Sequence, residues 1–300
     1  MSSEHDHVRR FLFEGAPVRG GLVSLDEAWR EVLARRAYPP PLRALLGELT
    51  AASALLAATL KFEGALVLQI QGRGPLRLLV VECQSDFALR ASARFDEDAS
   101  LPAGSSLRAW SGDGRCAITL DLRDGRPSYQ GVVPLDGHSA ADVLEGYMAR
   151  SEQLQTRLVL AADERRAVGL LLQRLPPPGG QWLDAADDGA WRAATELARA
   201  LDPADLLAHS SDATLRRVFR GHDLRLFESL DVAFRCRCTR DRVAHMLRLL
   251  GADEVRALLS ERGAVDVTCD FCHLGYSFAP DEAEAALLTP HDGARIEQVG

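Results

Sequence analysis

The sequence predicts an α+β protein: an N-terminal α/β domain with a mixed or antiparallel sheet, a helical linker, and a small C-terminal cysteine-bearing module. Three observations carry this. The apolar pattern alternates between helical and strand periods through residue 175. A Pro/Gly run, PPPGG at 176–180, then punctuates the chain. Four of the six cysteines fall in two tight pairs, FRCRC at 234–238 and TCDFC at 268–272. The boundaries that follow are 1–175 for the domain, 176–230 for the linker and 231–300 for the module. At 300 residues and 47% hydrophobic, the chain is long enough to bury a sizeable core in such an arrangement.

The elements of the first domain read in order. The start, MSSEHDHVRR, is polar, and EHDH with His5 and His7 reads as a disordered beginning rather than a metal site. LDEAWREVLARR places Trp29, Val32 and Leu33 on one helical face. PPPLRALLGELTAASALLAATL opens on prolines suited to a first helical turn and continues as a core helix. ALVLQIQGRGPLRLLVVEC is two β-rich runs about Gly72-Arg73-Gly74-Pro75, a hairpin. FALRASARF, RCAITLDL and YQGVVPL continue the sheet, and SAADVLEGYMARSEQL is a helix. TRLVLAADERRAVGLLLQRL reads as strand then helix. Cys83 and Cys116 fall in strand-like runs as small buried hydrophobes.

In the linker, Trp191, Ala194, Leu197, Ala198 and Leu201 form one apolar stripe, and Leu215, Val218 and Phe219 another. Short helices cannot bury such faces on each other alone, so this segment folds only against a neighbour. In the module, VAFRCRC alternates like a strand, and two helices end at Gly251 and Gly263. VDVTC and SF flank a turn, and a last helix has Asp281 and Glu284 spaced as a capping box.

Composition excludes several functions. Net charge is −8, which disfavours non-specific nucleic-acid binding. Lys61 is the only lysine and lies in TLKFEG, so no Gly-rich phosphate loop of the Gly-Lys-Ser/Thr kind exists. No Ser/His/Asp arrangement supports an enzyme. The most apolar run, LTAASALLAATL, is 12 residues, too short to span a membrane. With no secretory signal read at the start, the expected compartment is the cytoplasm, where clustered thiols bind metal or do redox chemistry more often than they form stable disulfides.

The cysteine spacing is specific. In an extended chain residues i and i+2 share a face, roughly 6.5–7 Å apart at Cα. Two sulfurs on one zinc ion are about 3.7 Å apart, given Zn–S bonds of about 2.3 Å. Cys236 and Cys238 reach that separation by turning their side chains inward, and Cys269 and Cys272 form a chelating C-x-x-C turn. Together they make a four-cysteine site for one zinc per chain; the alternatives are free thiols or permanent disulfides. His273 is a candidate substitute ligand, and His245 reads as a surface or supporting residue. Arg235, Arg237, Arg240 and Arg242 either offset the −2 formal charge of such a centre or form a solvated basic edge. Thiolates are also what oxidants attack, so the pairs Cys236/Cys238 and Cys269/Cys272 read as a switch whose oxidation releases the metal. Two other classes compete: a zinc module that binds nucleic acid, and a thiol–disulfide oxidoreductase using Cys269 and Cys272.

FRCRCTRDRV, LLGADEVRALL and VDVTCDFCHLGYSF closely resemble the C-terminal domain of the 33 kDa heat-shock chaperonin family. LVLQIQGRGPLRLLVVECQSDFALRASARF and YMARSEQLQTRL resemble its N-terminal segments, so the resemblance spans nearly the whole chain. It implies a redox-regulated holdase chaperone. The reduced form would hold zinc through Cys236, Cys238, Cys269 and Cys272 and be inactive. Oxidation would form the Cys236–Cys238 and Cys269–Cys272 disulfides, release zinc and unfold the linker. The activated protein, often a homodimer, would hold unfolding client proteins without ATP, with no nucleic acid or membrane involved.

Overall fold

The computed structural model describes residues 6–99, 107–123, 127–176 and 185–288. The chain forms two compact units, Met1–Arg235 and Cys236–Gly300. The PPPGG run lies outside the described residues apart from Pro176.

The first unit begins with strands β1 (His7–Phe13) and β2 (Val18–Leu25) and helices α1 (Glu27–Leu33) and α2 (Pro40–Ala57). Strands β3 (Gly64–Gln71), β4 (Leu76–Gln84) and β5 (Ala88–Phe95) follow, then α3 (Leu107–Ser111), β6 (Arg115–Leu122), β7 (Tyr129–Pro134) and α4 (Ala140–Arg150). Next come β8 (Thr156–Ala162), β9 (Ala167–Arg174) and helices α5 (Ala185–Arg199), α6 (Pro203–Ala208) and α7 (Ser211–Val218). Three short strands close the unit: β10 (Leu224–Leu226), β11 (Leu230–Asp231) and β12 (Ala233–Phe234). Where one sheet was expected there are two. One runs β10-β1-β2-β9-β8 with β11 also on β1; the other runs β12-β5-β4-β3-β6-β7. Pairing is antiparallel throughout except β12 on β5, which is parallel.

Helix α2 joins the two sheets. Residues 49–57 are buried without a break, so the helix is enclosed on every side rather than amphipathic. It touches strands of both sheets, and a single core runs from Val8 and Val23 through Leu46 and Leu55 to Leu68 and Leu79. The opposite face of the first sheet carries a second core. Phe11, Phe13, Leu170 and Leu172 meet Ala194, Ala198, Leu206 and Phe219 there. The Phe219 ring lies 5.5 Å from that of Phe11 and 5.1 Å from that of Phe13. Gly20 is required beneath them, because a Cβ there would sit 2.1 Å from the Phe11 ring. The neighbour that the linker helices need is thus this sheet face, with Trp191 and Leu197 half-buried against it.

Coverage on both faces explains one misreading. AVGLLLQR was expected to be helical, yet it is β9, buried at every position. A strand enclosed on both faces loses the alternation that marks a strand in sequence. The N-terminus differs as well. Glu4 and His5 lie outside the described residues, but Asp6 and His7 are buried rather than disordered. One Asp6 carboxylate oxygen accepts from the N–H groups of Asp26 (2.5 Å) and Glu27 (3.1 Å), and the other from Ala28, so Asp6 satisfies the first turn of α1.

The second unit contains α8 (Arg240–Leu250), α9 (Ala252–Arg262), the hairpin β13 (Val265–Thr268) and β14 (Gly275–Phe278), and α10 (Pro280–Leu288). Its core is small: Val243, Leu247, Val255, Val265, Phe278 and Ala283. The expected strand over VAFRCRC shrinks to β12, which belongs to the first unit. The expected capping pair on α10 also shifts: Glu282 accepts from the Ala279 N–H at 2.9 Å, while Glu284 pairs with Arg256 at 2.8 Å.

Phe219→Ala removes the aromatic that fastens the linker helices and should cost about 3–5 kcal/mol of docking. Protease cleavage within residues 185–218 should accelerate while the β8–β9 hairpin stays protected; equal loss of protection in both would contradict this. Glu48 of α2, whose carboxyl burial pushes up to about 7, adds a pH dependence. A carboxyl raised above its unfolded value favours the folded state when protonated, so stability should fall as pH rises from about 4.5 to 7. Thermal melts of Glu48→Gln should lose that slope.

Candidate metal centre

Each of the four cysteines sits where the local backbone aims its sulfur inward. Cys236 and Cys238 lie in the segment that leads into α8, and Thr239 caps that helix, its hydroxyl accepting from the Arg242 N–H at 3.2 Å. Cys269 and Cys272 occupy the turn of the β13–β14 hairpin. The Cys269 N–H donates to the Leu274 carbonyl at 3.0 Å, and the His273 N–H to the Cys269 carbonyl at 2.8 Å. His273 takes a left-handed conformation, φ 57°, which folds the turn back on itself. Its part here is conformational; among the described residues the metal-competent cluster is the four cysteines alone.

The sulfurs converge. Cys236 Sγ lies 3.4 Å from Cys238 Sγ and 3.7 Å from Cys269 Sγ, and Cys238 Sγ lies 3.2 Å from Cys272 Sγ. All four lie within 4.8 Å of one another. Tetrahedral thiolate coordination of zinc needs sulfurs about 3.7 Å apart, so this donor set fits that ion. All four are half-buried. Backbone N–H groups are directed at them: Cys238 toward Cys236, Cys272 and Phe271 toward Cys269, and Leu274 toward Cys272. Cys269 accepts from two such groups, and Cys236 and Cys272 from one each.

Ionisation is split across the cluster. Burial raises the Cys236 thiol, but hydrogen bonds from the Cys238 N–H and from neighbouring thiols outweigh it and hold Cys236 below the ordinary range. Burial, with the charge developing on Cys236, pushes Cys269 up, and burial with its thiol neighbours pushes Cys272 up further. The charge on Cys236 opposes ionisation of Cys269, so a shared cation favours the thiolate forms. Tyr276, which sequence reasoning missed, donates its hydroxyl to Cys238 Sγ at 3.2 Å. That bond pushes the phenol up to about 12. The signal lay in the strand register, which sets Tyr276 opposite Val267 two residues before Cys269.

The arginines near the first pair are largely committed elsewhere. Arg235 pairs with Asp86 at 3.0 Å, Arg240 bonds the Ser277 carbonyl and stacks on Phe278, and Arg242 bonds the Arg237 carbonyl. Backbone donors face the sulfurs, while Arg235, Arg240 and Arg242 are paired with other groups. Cys83 and Cys116 are buried in the other unit, their thiols pushed up to about 12 by burial.

A two-sheet body continued by a separate four-cysteine module able to hold a metal ion is the class that fold and site define. The model of the Hsp33 protein family matches residues 6–279, and the chain belongs to that family. It is 46% identical over 285 residues to the 33 kDa chaperonin of Methylobacillus flagellatus, covering 95% of each chain. It is also 46% identical to that of Chromobacterium violaceum, covering 97% of this chain and 96% of the relative. The crystal structure of the 33 kDa chaperonin of Thermotoga maritima shares the fold, with a TM-score of 0.80 at 22% identity over 94% of this chain and 98% of that one. The chain is thus an Hsp33-family chaperone with a C-terminal cysteine cluster compatible with zinc and with disulfide chemistry.

In metal-chelated, reduced protein at about pH 8, the four module cysteines should be alkylated first, and Cys83 and Cys116 only after denaturation of the first unit. Mass mapping of a timed alkylation checks the order. Cys236→Ser should weaken zinc affinity at least tenfold, by about 1.4 kcal/mol or more, while Cys83→Ser leaves it unchanged. Equal effects from both would place the metal elsewhere.

Proposed function

We propose that this protein is a redox-regulated, ATP-independent holdase chaperone that binds unfolding proteins under oxidative stress. The convergence of four sulfurs within 4.8 Å in a module with a six-residue core is the observation that carries the reading. In the reduced, inactive state Cys236, Cys238, Cys269 and Cys272 hold one zinc ion. Bound zinc supplies the positive charge that lets four thiolates share one site, and the apparent binding energy of structural zinc, about 10–16 kcal/mol, becomes folding energy.

Oxidation removes the ligands. Two thiolates of a pair give up two electrons and join as a disulfide; hypochlorous acid takes the electrons with a proton and becomes chloride and water. Repeated for Cys236–Cys238 and Cys269–Cys272, this leaves no thiolate to hold the metal. The module then loses its main source of folding energy, and residues 176–230 unfold from the first unit. The protein acts as a homodimer in this state, in the cytoplasm, where the resting thiols stay reduced. Among the described residues no helix is long and apolar enough to cross a membrane. Without a Gly-Lys-Ser/Thr loop, client binding draws on conformational change rather than nucleotide hydrolysis.

The test combines metal quantitation with an aggregation assay. Reduced protein should carry one equivalent of zinc and leave a heated client to aggregate. Hypochlorous acid should release the zinc and switch on suppression of aggregation. Oxidised protein that keeps its metal, or gains no holding activity, would refute the reading.

A further inference from the structure

The strap formed by β10, β11 and β12 covers two sheet edges at once, and it does so mainly through its backbone. The Phe227 N–H donates to the Arg10 carbonyl at 3.0 Å and the Val232 N–H to the Asp6 carbonyl at 2.9 Å, while the Glu14 N–H donates to the Asp223 carbonyl at 2.9 Å. On the other sheet the Ala233 N–H reaches the Phe87 carbonyl at 3.3 Å and the Arg235 N–H the Leu89 carbonyl at 3.0 Å. Side chains contribute less: Leu224, Leu230 and Phe234 are half-buried against the cores. Of residues 224–235 only Val232 is buried, and Leu226 and Phe227 are 47% and 41% exposed. The ion pairs Arg225–Glu14 and Arg235–Asp86 are exposed at both ends and add little.

Such a strap is exchangeable. Beneath it β1 pairs with an antiparallel strand and β5 with a parallel one, so the two edges together accept either chain direction. Pockets flank the strap. One of about 280 Å³ is mostly apolar, with Phe11, Leu55 and Leu171 beneath the strap, and a more polar one of about 600 Å³ carries Lys61 and Glu63 beside Phe62 and Phe87. Backbone bonds that ignore sequence, with pockets for alternate side chains, are the elements of recognition by strand addition. An uncovered edge of this length is a ready template for another chain.

We infer that the outer edges of β1 and β5, uncovered when the strap leaves, are binding sites for extended segments of unfolding proteins, which add to the two sheets as strands. This deepens the holdase reading and rests on it for the event that frees the strap, with the opening carried past residue 230 through β12. The strap ends at Arg235, next to Cys236, so a Cys236–Cys238 disulfide reshapes the chain immediately beside the last strap bond.

The experiment uses the full chain and a short fluorescent peptide of alternating valine and threonine, with a copy N-methylated at alternate amides. Phe227→Pro with Ala233→Pro deletes one strap bond on each sheet while changing two exposed side chains. Reduced, zinc-loaded double variant should bind the peptide about tenfold or more tighter than reduced wild type, and about tenfold tighter than the methylated copy. Equal binding by variant and wild type, or indifference to methylation, would overturn the inference. A second measurement needs no variant. The Glu14 amide, bonded to the strap through Asp223, should exchange faster after oxidation of wild type and be slowed again by the peptide but not by its methylated copy. If oxidised wild type holds a heated client yet the peptide never protects Glu14, strand addition is wrong and the holdase reading stands. If the peptide protects Glu14 while oxidised wild type holds no client, the holdase reading falls and the binding edge stands.

Discussion

Like charges brought together in a partly buried site set the terms for the C-terminal unit. Its four sulfurs lie within 4.8 Å of one another, in a module whose core is six side chains. Two like charges about 4 Å apart repel by about 4 kcal/mol even at an effective dielectric of about 20. Burial, and then the charge developing on Cys236, oppose ionisation at Cys269, and burial with the neighbouring thiols opposes it at Cys272. A cation held among the sulfurs offsets this repulsion. Modules this small seldom stand on a hydrophobic core alone and rely on metals or disulfides. The centre and the fold of the module are thus one interaction.

The first unit distributes its stability unevenly. Helix α2 is enclosed between two sheets and shares one core with both, whereas α5–α7 rest on the outer face of one sheet. The strap that follows is lighter still, fastened by a handful of backbone bonds. Order of attachment along the chain therefore runs from a firm body, through helices held by a few aromatic and apolar contacts, to a strap that joins directly to Cys236. Regions with few buried apolar contacts open first. In the proposed switch, this gradient lets the outer layers respond to the cysteine chemistry without requiring the body to unfold.

Much of this was legible from residues alone. The helix with Trp29, the hairpin about Gly72–Pro75 and the helix that starts near Ser139 follow from period and turn chemistry. The four cysteines declared their grouping by spacing, since chelation constrains sequence separation directly. What stayed hidden has a common cause: long-range coverage. AVGLLLQR looked helical because its second face is covered by helices that come later in the chain. Asp6 looked unstructured because its partners are N–H groups at residues 26–28. Tyr276 reaches Cys238 only through hairpin register. The strap residues 224–235 carry too short a pattern for local reading, because their pairing is specified by edges formed elsewhere.

The central claim is that all four sulfurs hold a single ion in the reduced protein. X-ray absorption at the zinc edge on freshly reduced, zinc-loaded protein tests it most directly. Four sulfur scatterers at about 2.3 Å, with no nitrogen or oxygen shell, are expected. Three or fewer sulfurs, or a histidine nitrogen in the first shell, would contradict the account.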